Sequence, residues 1–199
     1  MKYIKSFTDF VNESENTKEE KTVNESEMVA LYESAIEQEP RLSSGITEIL
    51  NTQIMNELNS SQMYRSMSAW MDDAGWINGS QLFFKYADEE LTHMTKIYKY
   101  LYEKNCRAVV PTPPDVAKDY KDVRAIVEGA LEHEMLVTKN WNDIANKAKS
   151  EDDHDTYTLA LSFVNEQREE EEKIRNILFQ MDLDMPKWKV DELFGELME

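Results

Sequence analysis

The chain has 199 residues, of which 41% are hydrophobic and only five are glycine and five proline, which suits one helical domain and disfavours a β-rich or fibrous fold. A formal net charge of −18 opposes binding to the phosphates of nucleic acid and favours the attraction of cations. With one cysteine, no recognisable leader and no apolar run of bilayer length, the sequence predicts a reducing, cytoplasmic location and no membrane partner.

Residues 1–42 are rich in glutamate, serine, asparagine and lysine, and they contain the sequence Val-Asn-Glu-Ser-Glu twice, at 11–15 and 23–27. A segment of this composition is predicted to be a mobile acidic extension that stays outside the core. Apolar clusters around Phe7 and Leu31 leave a docking or targeting peptide as the alternative. The opening of the chain loosely resembles the leader segments of proteins packaged into tailed-phage heads, which implies a phage protein in a bacterial host as one source.

The first two long helices are predicted over residues 43–73 and 79–105, where apolar side chains repeat at helical spacing. Serines near position 43 can cap the first helix, and Gly75 follows its end. The inward-facing side of the first helix also carries Glu57 and Tyr64, and the apolar stripe of the second helix, to which Tyr86 belongs, also carries Glu90 and His93.

The next two long helices are predicted over residues 119–149 and from the acidic cap at 151–153 to about residue 181. Glu134 interrupts the apolar stripe of the third helix, whereas the neighbouring His133 is interpreted as a surface residue. The inward side of the fourth helix presents three polar side chains: Glu166, Gln167 and Glu170. A short fifth helix is predicted at about 188–198, after a proline.

The lengths of the links predict the topology. Short links near 74–79 and 149–152 predict that helices one and two, and helices three and four, form antiparallel hairpins. The longer link at about 106–118 can cross the length of a bundle, which would make helices two and three parallel. We therefore predict an all-α four-helix bundle over residues 43–182, with one long crossover and a short C-terminal helix within 183–199.

Several carboxylates in one bundle interior would be strongly destabilising without cations, because each buried charge that lacks a partner costs several kcal/mol. Oxygen ligands with one imidazole suit iron or manganese, and Fe(II) fits best, since the chain has neither a thiolate set for zinc nor an EF-hand loop for calcium. So many ligands would need two metal ions. A shared carboxylate would hold the ions close enough to pass two electrons to one dioxygen, which predicts an oxidase site.

Four stretches of the sequence carry a family resemblance. They are residues 50–70 around Glu57, Glu-Glu-Leu-Thr-His at 89–93, the pair His133-Glu134, and Glu-Gln-Arg-Glu-Glu-Glu at 166–171. Their order and spacing resemble those of the bacterial non-haem ferritins, over residues 44–199. The resemblance implies a ferritin-like bundle that binds iron and carries no haem.

The resemblance also implies a set of ligands for Fe(II) and Fe(III). The first iron would be held by Glu57, Glu90 and His93. The second would be held by Glu90 as the bridge, Glu134 and Glu170. A nearby third iron would be held by Glu89, Glu166, Glu169 and Glu170. The other implied site residues are Gln167, near dioxygen or a bound water, and Tyr64, as an electron donor beside the centre.

The sequence departs from the patterns of related proteins at two places. The fourth helix lacks the second Glu-x-x-His motif of symmetric di-iron proteins, which argues against bacterioferritin and a symmetric di-iron oxidase. Ser162 stands where bacterial members commonly have a tryptophan, which argues against an electron-donor role at that position.

The resemblance implies an iron-storage ferritin that oxidises Fe(II) with dioxygen or peroxide and deposits hydrated ferric oxide inside a cage of twenty-four identical subunits. One alternative is a ferritin-like cargo or scaffold protein that stores no iron and is addressed by its N-terminal extension. Another is a di-iron oxidase that acts on an organic substrate, which predicts an open pocket beside the site and no storage cavity.

Overall fold

The computed structural model describes residues 24–36, 39–112, 115–183 and 185–198. The chain divides into two compact units, with the boundary between Arg41 and Leu42. In the first unit the described helix is α1, Glu25–Ile36. Asn24 and Glu27 cap it reciprocally, because each side chain accepts a hydrogen bond from the backbone N–H of the other at 3.0 Å. The apolar cluster around Phe7 and the first Val-Asn-Glu-Ser-Glu copy lie outside the described residues.

The described part of the second unit contains helices and no strand. The helices are α2 (Ser44–Asp73), α3 (Ile77–Glu103), α4 (Val123–Ser150), α5 (His154–Met181) and α6 (Lys187–Glu196). The predicted all-α bundle with a short additional C-terminal helix is therefore confirmed. None of the described helices has the combination of length and apolarity that a bilayer span requires.

Local capping sets where three of these helices begin. Ser43 Oγ accepts from the Ile46 N–H at 3.1 Å, and carboxylate oxygens cap α4 and α5 in the same way. The helix α4 begins four residues later than predicted, since its cap is Asp122. The helix α3 begins two residues earlier than predicted, where Asp191 of α6 accepts from the backbone N–H groups of Asn78 and Gly79, each at 3.1 Å.

The order of apolar residues along each helix gives the direction of the bundle. One core cluster contains the first half of α2, the second halves of α3 and α4, and the first half of α5. A second cluster contains the opposite halves of these helices together with α6. Accordingly α2 is antiparallel to α3, α4 is antiparallel to α5, and α3 is parallel to α4. The connection over residues 104–122 is the long crossover that the sequence predicts, and a layer of polar side chains lies between the two clusters.

Candidate metal centre

Three side chains converge in this polar layer, namely Glu57 from α2 and Glu90 and His93 from one face of α3. Their exposed fractions are only 0%, 3% and 5%. One ligand atom from each, two carboxylate oxygens and an imidazole nitrogen, lie within 4.8 Å of one another. His93 Nδ1 is 3.6 Å from Glu90 Oε2 and 4.0 Å from Glu57 Oε2. These donor types at this spacing could hold a single divalent ion.

The electrostatics of the cluster favour a cation. Burial and the neighbouring Glu90 carboxyl raise the pKa of Glu57 well above its ordinary value. Burial likewise raises the pKa of Glu90, and the nearby carboxyls of Glu134 and Glu170 add to the rise. Oε2 of Glu57 and Oε2 of Glu90 are buried, and among the described residues neither has a hydrogen-bond partner. A bound cation would supply the missing partner and offset the repulsion.

Neighbouring side chains orient the cluster. Gln53, one turn before Glu57 on the same face of α2, donates a hydrogen bond from Nε2 to Glu57 Oε1 at 2.8 Å. The imidazole of His93 packs edge-on against Phe163, with 5.4 Å between ring centroids. Gln53 was not predicted as a site residue, although its position four residues before an inward-facing glutamate was the available signal.

A second group of polar residues lies on α4 and α5. Glu134 is buried, and its two carboxylate oxygens accept hydrogen bonds from the Tyr64 hydroxyl and from Gln167 Nε2. Burial raises the pKa of Glu134 in spite of these donors. Burial, followed by the proximity of Glu134, raises the pKa of Glu170 to about 8, and the buried Glu170 Oε2 has no hydrogen-bond partner among the described residues.

A small cavity of about 10 Å³ connects the two groups, because Glu90 from the first group and Glu134 and Glu170 from the second all line it. This volume is close to that of one bound water or one metal ion. The resemblance implied these three residues as ligands of a second ion, and the structure brings them to one cavity.

The residues predicted for a third iron lie around an outer pocket of about 280 Å³ between α3 and α5, namely Glu89, Glu166, Glu169 and Glu170. Two lysines share this pocket, Lys96 and Lys173. Lys96 Nζ contacts both carboxylate oxygens of Glu166, at 3.1 and 3.2 Å. Glu166 Oε1 in turn lies 3.8 Å from His93 Nε2, so the pocket reaches the buried centre. The four acidic residues are gathered, but ammonium groups already lie among them.

The interpretation of His133 as a surface residue was wrong. Its side chain is half-buried between α2 and α4, where Nε2 is 2.6 Å from Ser60 Oγ and the ring lies edge-on to Tyr64. Burial lowers the pKa of His133 to about 4, so the imidazole is neutral at neutral pH. The residue precedes Glu134 directly, and the contact with Ser60 helps to fix this part of α4 against α2.

The chain is similar in sequence to known proteins over about two thirds of its length. The model of the family described as "Ferritin-like domain" matches residues 47–183. A "Probable bacterial non-heme ferritin-like protein" of Haemophilus influenzae is 34% identical over 137 residues, which cover 69% of this chain and 83% of the relative. A "Bacterial non-heme ferritin" of Escherichia coli O157:H7 is 29% identical over 142 residues, covering 71% of this chain and 86% of the relative.

Solved structures give the same result for the fold. The open pore ferritin from the hyperthermophilic archaeon Archaeoglobus fulgidus superposes with a TM-score of 0.75 at 27% sequence identity. The match covers 79% of this chain and 98% of the archaeal chain.

Proposed function

Because the chain belongs to the ferritin-like domain family, we propose that it is an iron-storage ferritin that oxidises Fe(II) at its buried centre. The observation that carries the proposal is the set of buried carboxylate oxygens without hydrogen-bond partners among the described residues, which belong to Glu57, Glu90 and Glu170. Acidic groups at these depths are compatible with a stable bundle when cations bind between them. Iron is therefore the substrate of the site and the cargo of the protein.

The layout supports a pair of iron ions. Glu57, Glu90 and His93 would hold the first ion, and Glu90, Glu134 and Glu170 would hold the second. Glu90 belongs to the first cluster and also lines the cavity that Glu134 and Glu170 share. It is therefore the residue that would bridge the two ions. Tyr64 and Gln167 would act by holding Glu134 in place, through the hydrogen bonds that they donate to it.

Two adjacent ions suit the redox chemistry. Each Fe(II) loses one electron, and dioxygen takes both electrons together with two protons to become hydrogen peroxide. With peroxide as the oxidant, the same two electrons and two protons give two water molecules. The outer pocket with Glu89, Glu166 and Glu169 would bind a third ion or pass ions between the centre and solvent.

For the assembly we propose a hollow cage of twenty-four subunits in which hydrated ferric oxide accumulates. Several large apolar side chains are exposed on the described surface, among them Ile77, Phe179 and Trp188. Their exposure supports an assembly in which these side chains are buried between subunits. The bacterial sources of the relatives support a cytoplasmic location in a bacterium.

Size exclusion before and after aerobic iron loading tests the assembly. A small oligomer, or one that retains only the iron its ligands can bind, would favour a cargo or scaffold role instead.

Stopped-flow oxidation tests the chemistry. Anaerobic protein is loaded with Fe(II), mixed with oxygenated buffer, and followed by the ultraviolet absorbance of the ferric product. We expect Glu90→Ala to slow the initial rate by more than about 100-fold, because residues that merely support ligands already contribute about 10- to 100-fold. The matched control is Glu48→Ala, which removes an exposed glutamate of α2. Equal rates in Glu90→Ala and the wild type would refute the proposed centre.

A further inference from the structure

Tyr86 is a buried tyrosine whose hydroxyl the structure leaves without a partner. It lies on α3 one turn before Glu90, and only 7% of its surface is exposed. The sequence pattern indicates a plain core residue. A buried tyrosine hydroxyl normally forms a hydrogen bond, and leaving one unpaired costs about 1–3 kcal/mol. Yet Tyr86 Oη is enclosed and has no hydrogen-bond partner among the described residues.

Tyr86 lines the 10 Å³ cavity together with Glu90, Glu134 and Glu170. Oε2 of Glu90 and Oε2 of Glu170 are also buried and have no hydrogen-bond partner in the described part of the chain. Three residues that line this space therefore each carry a buried oxygen atom without a hydrogen-bond partner among the described residues, and the space has room for one water-sized guest or one ion.

The ring of Tyr86 is held firmly. It packs edge-on against Phe83 at 5.8 Å and against Tyr64 at 5.9 Å between ring centroids. The other buried tyrosine of the layer is already engaged, since the Tyr64 hydroxyl donates to Glu134. Tyr86 is thus the phenol of this layer that is free to bind a guest in the cavity.

We propose that Tyr86 is a ligand of the ferric ion that forms in this cavity, beside Glu90 and Glu170. The inference rests on the proposed function, since oxidation of Fe(II) by dioxygen supplies the ferric ion. Binding breaks the phenol O–H bond and forms a bond from the phenolate oxygen to Fe(III), and the proton leaves to solvent without any change of oxidation state. A phenolate is a hard, anionic oxygen ligand, so it prefers Fe(III) to Fe(II).

This preference gives Tyr86 a role that the carboxylates do not have. Burial and the neighbouring carboxyl of Glu89 raise the pKa of Tyr86, so the phenol stays protonated until a strongly polarising ion displaces the proton. Fe(II) would then bind mainly to carboxylate and imidazole groups, and Tyr86 would bind after oxidation. The residue would delay the release of ferric ion from the centre to the mineral.

A titration with gallium(III) citrate tests the inference apart from oxidation, because Ga(III) resembles Fe(III) and is redox-inert. Metal retained per subunit is measured after dialysis, and metal-bound tyrosinate is measured by ultraviolet difference absorbance. We expect the wild type to show one tyrosinate per subunit and Tyr86→Phe to lose that signal. The matched control is Tyr100→Phe, which removes a phenol that bonds to Thr156 away from the cavity and should keep the signal.

The outcomes separate the two proposals. Wild-type protein that retains Ga(III) without a tyrosinate signal overturns the role of Tyr86, and this spectrum decides even if Tyr86→Phe fails to fold. Full signal in Tyr86→Phe, with loss in Tyr64→Phe, overturns it in favour of the other tyrosine. If the wild type retains no Ga(III) beyond that of Glu90→Ala, the metal centre itself fails, and the inference fails with it.

Discussion

The two helical hairpins of the bundle, α2–α3 and α4–α5, are built on one plan. Each places a glutamate on its first helix and two polar residues, three positions apart, on its second helix. In the first hairpin these are Glu57 with Glu90 and His93. In the second they are Glu134 with Gln167 and Glu170. The same backbone arrangement therefore brings two sets of side chains to one layer, and the difference between the hairpins lies in what those side chains do.

In the first hairpin the ligand atoms converge, and two carboxylate oxygens have no hydrogen-bond partner among the described residues. In the second hairpin both oxygens of Glu134 accept hydrogen bonds from protein donors. A metal ion at Glu134 must therefore share or displace these bonds. Equivalent positions in the two hairpins therefore differ in how readily they bind a metal ion, and we expect the first hairpin to bind its ion before the second.

The largest expected effect is on metal binding, and it distinguishes the ion of the first hairpin from the ion of the second. We expect His93→Ala to weaken the first binding event by more than about 100-fold, roughly 3 kcal/mol, because it removes the only nitrogen donor of the cluster. Glu134→Ala should leave that event intact and weaken the second. Anaerobic calorimetric titration with Co²⁺ measures both. The control is His154→Ala, at an exposed histidine. Two unchanged binding events in His93→Ala would contradict the expected difference in metal binding between the two hairpins.

The metal-free protein should lose stability as pH rises. Since Glu170 has its folded pKa raised from 4.5 to about 8, its contribution is fully present below pH 4.5 and is lost as pH rises to about 8. Each unit of pKa shift corresponds to about 1.4 kcal/mol of free energy of unfolding. Because Glu170 is partly accessible to solvent, its whole contribution is reduced to on the order of 2 kcal/mol. Urea unfolding at several pH values measures this loss. Glu170→Gln should flatten the profile, and an equally steep profile in that variant would contradict the assignment.

The next largest effect is expected from removing the hydrogen bond that Tyr64 donates to Glu134. We expect Tyr64→Phe to weaken binding of the second ion about tenfold, roughly 1.4 kcal/mol, because the phenol orients the carboxylate, and to leave the first ion unaffected. The Co²⁺ titration used above measures it, with Tyr100→Phe as the control. Tighter binding of the second ion would show instead that Tyr64 competes with the metal for Glu134.

Much of this arrangement could be predicted from the sequence. Apolar spacing predicts the helices, and link lengths predict which of them are antiparallel. Glu57, Glu90 and Glu134 stand out because each interrupts an otherwise apolar stripe, which is a local signal. The family resemblance then assigned roles to these residues and supplied Glu170 as a ligand.

Other features depend on which side chains meet across helices, and for these the sequence gives no local signal. The contact between Ser60 and His133 joins residues 73 positions apart, so His133 was misread as a surface residue. Asp191 accepts from the backbone N–H of Asn78, 113 positions earlier, and so caps α3, which moved the start of that helix. The unpaired hydroxyl of Tyr86 has the sequence pattern of an ordinary core tyrosine. Its role as a candidate ligand depends on a cavity that exists only in the folded bundle.

The smallest expected effect lies outside the buried layer, where the second helices of the two hairpins face the outer pocket. Lys96 and Glu166 form an ion pair with side chains that are 44% and 43% exposed. Such pairs contribute about 0–1 kcal/mol, so Lys96→Gln should barely change the free energy of unfolding. It should, however, release a carboxylate that lies 3.8 Å from His93 Nε2.

We therefore expect Lys96→Gln to increase Co²⁺ binding in the outer pocket several-fold, because a divalent ion no longer competes with the ammonium group for Glu166. Equilibrium dialysis of Co²⁺ at concentrations that saturate the two buried sites measures this additional binding. The control is Lys139→Gln, which removes an exposed pair with Asp143 on α4. Unchanged binding in Lys96→Gln would show that the outer pocket excludes metal for a reason other than its lysine. The contrast between the buried centre and the outer pocket would then lie in burial, since enclosed carboxylates need a metal ion whereas exposed ones are solvated by water.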